Sequence, residues 1–247
     1  MRGLWKLTTV QFKLFLREPI GAFFTLGFPP MLVILFGAMY GNDPSPYFDG
    51  FGSMDVSMPG YTGMILGTVG FLSVPISLSG MREIGVLRRY KASALRPITF
   101  IIADVITNLL MTLLGMVILL FVGWLIYRVK FEGDPFQVAC AVVLGGLSMF
   151  SIGYVIAAIA PTARTAQVVG MVLFYPMLFL SGAAMPLEIL PESIRTISRY
   201  LPLTYVVNLL KGLWFGGSWR DYLLEAGILA GVLVVCTLFA SRFFRWD

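Results

Sequence analysis

The sequence predicts an all-α membrane protein, a single domain over residues 1–247 with six transmembrane helices. Apolar residues make up 58% of the chain and charged residues only 13%, with a mean hydropathy of +0.86. A soluble domain keeps about a quarter of its residues charged because water covers its surface. A helix needs roughly 20 apolar residues to cross about 30 Å of hydrocarbon. Segments that approach this length lie at about 20–40, 60–80, 98–127, 136–160, 166–186 and 222–241.

Residues 1–19, before the first span, are predicted to form an amphipathic helix that lies in the membrane interface. Polar and mostly basic residues recur there every three or four positions: Arg2, Lys6, Thr9, Lys13 and Arg17. A basic stripe beside an aromatic-rich face is typical of interfacial helices. Pro19 is expected to end the helix. An early start of the first span is the alternative interpretation.

The distribution of charge predicts the orientation. Lys and Arg concentrate on the cytoplasmic side of membrane proteins. With the N-terminus inside, the inner segments hold twelve of the 18 Lys and Arg residues. Six spans return the C-terminus to the same side. We therefore predict a multi-pass protein of the bacterial inner or plasma membrane, with both termini in the cytoplasm.

The predicted cytoplasmic loop, residues 81–97, combines basic residues with an apolar edge. Ile84, Leu87 and Tyr90 recur every three residues, as on one side of a short helix that Pro97 closes. Positive-inside anchoring explains the charge but not the amphipathic helix. We predict a docking helix that enters a groove on a cytoplasmic partner. Its contact residues would be Arg82, Glu83, Ile84, Gly85, Val86, Leu87, Arg88, Arg89 and Tyr90.

The predicted external segment, residues 187–221, separates the last two spans. Pro186 and Pro191 are expected to break the fifth helix near its outer end. Two short helices are predicted to follow, at 188–199 and about 203–215. Broken backbone at membrane depth is tolerated only where it is buried in protein or lines a cavity. An ordinary loop on the outer membrane surface is the alternative.

In this order, the features resemble the ABC type-2 permease family. Arg82-Glu83-x-Gly85 is close to the family's Glu-Arg-x-x-Gly-Thr pattern, and Phe179-Leu180-Ser181-Gly182 begins a segment similar to its FLSG…P…LP…PLTY pattern. The resemblance implies that 81–97 carries a coupling helix for an ATP-binding subunit. It also implies outer helices that re-enter the membrane and cap the transport route. The gate residues would be Phe179, Ser181, Pro186, Leu203, Thr204 and Tyr205.

Asp104 and Asn108 lie four residues apart near the inner end of the third span. Polar groups at such depth are costly and therefore worth interpreting. They could contact the substrate or a gate. Alternatively, Asp104 could pair with a basic residue such as Arg82 or Arg164, which is the interpretation that we favour.

The absence of several sequence motifs argues against other classes of function. The sequence has no G-x-x-x-x-G-K-[ST] phosphate loop, so the chain does not supply an ATPase. It has no histidine and no HExxH or CxxC pattern, and its basic residues do not form a nucleic-acid patch. We expect it to bind no metal or cofactor. A membrane-embedded enzyme would need carboxylate chemistry from Asp104, and a secondary transporter would usually carry internal repeats.

The combined prediction is the permease subunit of an ATP-driven ABC exporter, which is not an enzyme by itself. It would move an amphipathic or hydrophobic substrate, such as a drug, lipid or peptide, outward across the membrane. The expected partners are cytoplasmic ABC subunits that bind ATP and Mg, a second permease subunit of the same or a sister chain, and membrane lipid. A secondary transporter or a membrane-embedded enzyme remains the alternative.

Overall fold

The computed structural model describes residues 2–17, 19–48, 50–92, 97–187 and 190–243, which are helical or connecting segments without a β-strand. Among them, six helices are long and apolar enough to cross a membrane, which confirms the predicted number of spans. In chain order, the first to sixth spans are Phe23–Tyr40, Ser53–Glu83, Ile98–Tyr127, Pro135–Ile159, Ala163–Leu180 and Trp219–Phe243.

The even number of spans places both ends of the chain on one face of the bundle. We call this the terminal face; it holds residues 84–92 of the connection between the second and third spans, and the connection 160–162. The opposite face holds the connections 41–52, 128–134 and 181–218. The five connections join spans that run in opposite directions, so the chain passes up and down through the bundle.

The second span forms the centre of the bundle. It is the most enclosed span, followed by the fourth, whereas the fifth and sixth are the least enclosed by this chain. A helix on the opposite face, Pro202–Trp214, packs between the second, fourth and sixth spans. Its buried side chains include Leu203, Leu210 and Trp214. The core is therefore built around the second span.

The N-terminal helix, Arg2–Arg17, precedes the first span and packs against the third. Leu7, Gln11 and Phe15 are buried, and the exposed basic stripe lies on the far side of the helix from them. A short helix, Pro19–Ala22, directly precedes the first span. A helix therefore lies within the predicted residues 1–19, and its position in the membrane interface stays a prediction.

The fifth span ends earlier than predicted, and its end is not made by proline. The helix stops at Leu180, and Gly182 follows with a φ of +87°. This left-handed conformation is easily adopted by glycine but costs other residues free energy. The prediction that Pro186 and Pro191 break the helix is therefore wrong. The second span also begins earlier than predicted, at Ser53 instead of about residue 60.

The two outer helices are confirmed as helices, with changed bounds. The first is Glu192–Ser198, shorter than the predicted 188–199, because Pro191 precedes it in a non-helical conformation. Residue 188 lies outside the described residues. The second is Pro202–Trp214, within one residue of the predicted bounds.

Two π-helical segments interrupt the spans, Phe23–Gly27 in the first and Val69–Ser73 in the second. The backbone of the second segment is held closely by glycines of two other spans. A Cβ atom at Gly153 would lie 2.1 Å from the carbonyl oxygen of Gly70, and one at Gly170 would lie 2.1 Å from that of Phe71. Only glycine permits the fourth and fifth spans to approach this closely.

Candidate functional site

The terminal face carries a break in the chain where the sequence predicted one continuous docking helix. The second span ends at Glu83, and a separate helix, Val86–Ala92, begins after a turn. Gly85 makes this turn with a φ of +73°. Ile84 is 71% exposed, whereas Leu87 is 0% exposed. The predicted common apolar edge is therefore wrong, because the turn points these two side chains into different surroundings.

Leu87 holds the short helix Val86–Ala92, called the inner helix below, against the rest of the chain. It belongs to one buried cluster with Leu7 of the N-terminal helix, Leu78 of the second span and Phe100 of the third. Val86 is half-buried, and Arg88 and Arg89 are exposed. Tyr90 is in the same helix, but its side chain falls outside the described residues. The predicted contact residues thus divide into an anchored set and an exposed set.

Arg82 and Glu83 bind the connection between the fourth and fifth spans. The Arg82 guanidinium donates to the carbonyl oxygen of Ala160, at the C-terminal end of the fourth span. The Glu83 carboxylate accepts a hydrogen bond of 3.1 Å from the backbone N–H of Ala163, the first residue of the fifth span. A cation at a helix C-terminus and an anion at a helix N-terminus both match the helix dipole. These two residues therefore join three spans.

Asp104 and Asn108 come together in the third span, as predicted, but their partner is different. The Tyr154 hydroxyl of the fourth span donates to Asp104 Oδ2 at 2.6 Å, and Asn108 Nδ2 donates to the same oxygen at 3.2 Å. The carboxyl group binds neither Arg82 nor Arg164, so that expectation is wrong. All three groups are buried or half-buried. The arrangement links the third span to the fourth within the chain.

The predicted gate residues on the opposite face have different degrees of burial. Ser181 and Thr204 are buried, and their hydroxyl groups have no hydrogen-bond partner among the described residues. Leu203 is also buried, whereas Phe179 is 57% exposed. The Tyr205 hydroxyl donates to the Arg199 carbonyl oxygen at 2.5 Å and so ties the two outer helices together. Most of the predicted gate residues are therefore enclosed by the chain, whereas Phe179 is exposed.

Two cavities follow the seam between the first and second spans. One, of about 210 Å³, lies near the opposite face and includes Tyr40, Ser57, Tyr61 and the predicted gate residue Pro186. The aromatic rings of Tyr40 and Tyr61 give it amphipathic walls. Sequence reasoning missed both tyrosines because isolated aromatic residues in an apolar span are indistinguishable from lipid-facing ones.

The other cavity lies deeper in the same seam, where the fifth span joins it. Thr68 and Ser73 of the second span and Gln167 and Tyr175 of the fifth line it, together with Phe24 of the first. Its volume of about 20 Å³ has room for about one water molecule. The Ser73 hydroxyl is buried and has no partner among the described residues. This is a polar position inside an otherwise apolar seam.

Asn42 organises the opposite face, although sequence reasoning did not select it. Its Nδ2 donates to Asp55 Oδ1 at 2.9 Å and to the Tyr127 carbonyl oxygen at 3.1 Å. Its Oδ1 accepts from the backbone N–H groups of Met54 and Asp55, at 3.0 and 3.1 Å. The ends of the first, second and third spans therefore meet at one side chain. Asp55 itself lies three residues after the helix cap at Gly52, which is a recognisable helix-start pattern.

Comparisons with known proteins agree with this architecture. The sequence profile described as "ABC-2 type transporter" matches residues 2–215. Nodulation protein J of Rhizobium leguminosarum bv. viciae is 31% identical over 104 residues, which are 42% of this chain and 40% of that protein. The probable multidrug ABC transporter permease YbhR of Escherichia coli (strain K12) is 25% identical over 155 residues, which are 62% of this chain and 42% of that protein. The matches span about two fifths of the length of these relatives.

Proposed function

The chain belongs to the ABC-2 type transporter family, and we propose that it is the permease subunit of an ATP-driven exporter. Two such chains, identical or a sister pair, would assemble with two cytoplasmic ABC subunits that bind ATP and Mg. The observation that carries this proposal is the inner helix. It is anchored to the bundle by Leu87, and the neighbouring Ile84, Arg88 and Arg89 remain exposed. Two exposed arginines beside an apolar side chain fit a protein partner, since arginine is enriched at protein interfaces.

In this proposal the terminal face is cytoplasmic and the inner helix is the coupling helix. Ile84 would enter an apolar groove on the ATP-binding subunit, while Arg88 and Arg89 would contact the rim of that groove. Leu87, which sequence reasoning placed in the same contact set, instead transmits force because it is packed against the second and third spans. ATP binding would close the partner subunits and displace the inner helix.

Arg82 and Glu83 provide the second part of the transmission. They bind the two helix ends that flank the connection 160–162. A displacement of the second span at Glu83 would therefore move the fourth and fifth spans as well. We assign these residues to force transfer within the permease and not to direct contact with the ATPase.

The route is proposed to follow the seam of the first, second and fifth spans, where the two cavities lie. The seam is mainly apolar. Its polar side chains are Thr68, Ser73, Gln167 and Tyr175 deep in the seam, and Tyr40, Ser53, Ser57 and Tyr61 near the opposite face. Such walls suit an amphipathic or hydrophobic cargo, such as a drug, lipid or peptide. The word "multidrug" in the name of the Escherichia coli relative agrees with this cargo class.

The opposite face would then close the route. We propose that the segment 181–187 and the helices Glu192–Ser198 and Pro202–Trp214 re-enter the outer leaflet and form the external gate. The support is the burial of Ser181, Thr204 and Leu203 against the bundle. The N-terminal helix would lie in the inner interface, with its exposed basic stripe toward lipid headgroups.

Exchange of Ile84 for glutamate tests the coupling assignment. In the purified complex with its ATP-binding subunit, we expect Ile84→Glu to lower the co-purified ATPase at least fivefold, because a carboxylate would have to enter an apolar groove. Tyr200→Glu is the matched control, since Tyr200 is 84% exposed on the opposite face. ATP-dependent transport into inverted vesicles is the second measurement.

The coupling assignment is wrong if Ile84→Glu hydrolyses ATP, transports cargo and retains its partner as the unaltered chain does. Transport that continues after ATP depletion, with no ATPase retained by the unaltered chain, would instead support the secondary-transporter alternative.

A further inference from the structure

An open-sided groove runs between the third and sixth spans, with the fourth span as its floor. Its volume is about 390 Å³. The side chains that form its walls and floor are mainly apolar, among them Ile101, Val105, Leu147, Phe150, Leu233 and Ala240. The groove is separate from the seam of the first, second and fifth spans, so the proposed transport route leaves it unexplained.

Three of the four hydroxyl groups that line the groove, all but that of Thr237, already donate to oxygen atoms of the chain. Tyr154 donates to Asp104 Oδ2 at 2.6 Å, Ser151 to the Ser148 carbonyl oxygen at 2.6 Å, and Ser241 to the Leu238 carbonyl oxygen at 2.8 Å. A polar group entering the groove would lose its hydrogen bonds to water without replacement by these donors. The chemistry of the lining therefore favours a hydrocarbon occupant.

The groove lies within one half of the membrane thickness. It extends from Leu147 to Tyr154 on the fourth span and from Leu233 to Ser241 on the sixth. Seven or eight helical residues correspond to about 11 Å, which is less than half of a hydrocarbon core of about 30 Å. Ser241 is two residues from the end of the sixth span at the terminal face. An acyl chain from the leaflet at that face would have the matching depth and direction.

A positive charge stands at the end of the groove where a headgroup would lie. Arg242 is exposed and directly follows Ser241. Other exposed cations of the terminal face, Lys6, Lys13 and Arg88, give that face the same sign. Anionic phospholipids concentrate around such basic residues at the membrane surface.

We propose that this groove binds one acyl chain of an anionic phospholipid from the leaflet at the terminal face, with the lipid phosphate at Arg242. The bound chain completes the packing of the sixth span, which is the span least enclosed by this protein. Hydrocarbon in close contact with the groove walls supplies dispersion contacts that an empty groove would lack. The lipid thus acts as a structural ligand between the third and sixth spans.

Native mass spectrometry of the full chain tests this proposal with two probes, phosphatidylglycerol and phosphatidylcholine. Thr237 is an exposed residue of the groove, so Thr237→Phe fills it without disturbing the core. Val235→Phe is the matched control, because Val235 is exposed on the same helix outside the groove. We expect the unaltered chain and the control to retain one phosphatidylglycerol. Thr237→Phe should lower the lipid-bound fraction at least threefold.

The headgroup part of the proposal predicts that phosphatidylcholine is retained less than phosphatidylglycerol, and that Arg242→Gln removes this difference. Equal retention of both lipids by the unaltered chain would overturn that part. Equal phosphatidylglycerol retention by Thr237→Phe and Val235→Phe would overturn the groove assignment. The groove assignment would also be overturned if Thr237→Phe dissociated a dimer of this chain without changing lipid retention. The occupant of the groove would then be a second copy of the chain. If Thr237→Phe is not monodisperse, Leu233→Trp fills the same groove and decides the outcome.

Discussion

Asn42 has a larger structural role than its place in a polar connection suggests. Its amide group makes four hydrogen bonds, which satisfy the start of the second span and the end of the third. One of its partners, Asp55, is 1% exposed and also accepts from the backbone N–H groups of Gly52 and Lys130, each at 3.0 Å. A buried carboxylate persists only when such donors surround it. The two side chains therefore depend on each other.

Asn42→Ala should destabilise the folded protein by about 2–4 kcal/mol, because it removes several bonds and leaves the Asp55 carboxylate with fewer donors. Thermal unfolding in detergent, followed by tryptophan fluorescence, measures the change. Asp43→Ala is the control, since Asp43 is the exposed neighbour. Equal unfolding midpoints for the two variants would contradict the role of Asn42.

The sequence could not have predicted which residues of the inner segment are buried. The spacing of Ile84 and Leu87 is correct for one helical edge, but the left-handed turn at Gly85 separates them. Leu87 is buried by Leu7 and Phe100, which belong to other helices. Contacts between elements decide such burial, and periodicity within one element does not report them. Asn42 was missed for the same reason, because it lies 85 residues from Tyr127.

At the scale of elements, the π-helical segment of the second span is the best-defined irregularity. A π turn inserts one extra residue into an α-helix and often occurs at functional sites. Here the segment Val69–Ser73 is enclosed by the fourth and fifth spans, whose glycines contact its carbonyl oxygens. Ser73 also lines the deep cavity of the proposed route. The irregular backbone, the close packing against glycines and the wall of the cavity are therefore all found in the segment Val69–Ser73.

Gly170→Ala should disturb this junction. The added Cβ atom would meet the Phe71 carbonyl oxygen at 2.1 Å, so one backbone must move. We expect a loss of about 1–3 kcal/mol, as for other overpacked sites, together with reduced transport. Gly231→Ala in the sixth span has no heavy atom within 4 Å of the new Cβ and should be neutral or slightly stabilising. Similar thermal midpoints for both variants would show that the fifth span does not need this glycine.

The number of spans was predictable and the ends of several helices were not. Length and apolarity alone determine whether a helix can cross a membrane, so hydropathy found all six. The end of the fifth span depends on the backbone conformation of Gly182, whereas the two nearby prolines were the stronger sequence signal. The outer helix Pro202–Trp214 was predicted within one residue, at about 203–215, because its sequence is a continuous apolar run.

At the scale of the whole molecule, the two faces of the bundle differ in charge and in construction. The terminal face carries most of the basic residues, and its short connection 160–162 is tied to Arg82 and Glu83. The opposite face carries the longer connections and two short helices. By the positive-inside rule, this distribution supports the proposal that the terminal face is cytoplasmic.

Labelling of single cysteines tests this orientation. In a chain whose Cys140 and Cys236 are replaced by alanine, a membrane-impermeant maleimide should label Ser218→Cys in intact cells. It should label Arg88→Cys only after permeabilisation. Both positions are exposed, so reactivity depends on the side of the membrane. The reverse pattern would invert the proposed topology and remove the inner helix from the reach of a cytoplasmic ATPase.

The second span is fastened at both of its ends. Asp55 ties it to the first and third spans on one face, and Glu83 ties it to the fifth on the other. Sliding of the second span along its axis would break these hydrogen bonds, whereas bending between its two ends would preserve them. The π turn at Val69–Ser73 lies between the two supports and contains the extra residue that bending requires. Under the proposed function, a push at the inner helix would therefore bend the second span beside the seam of the first, second and fifth spans.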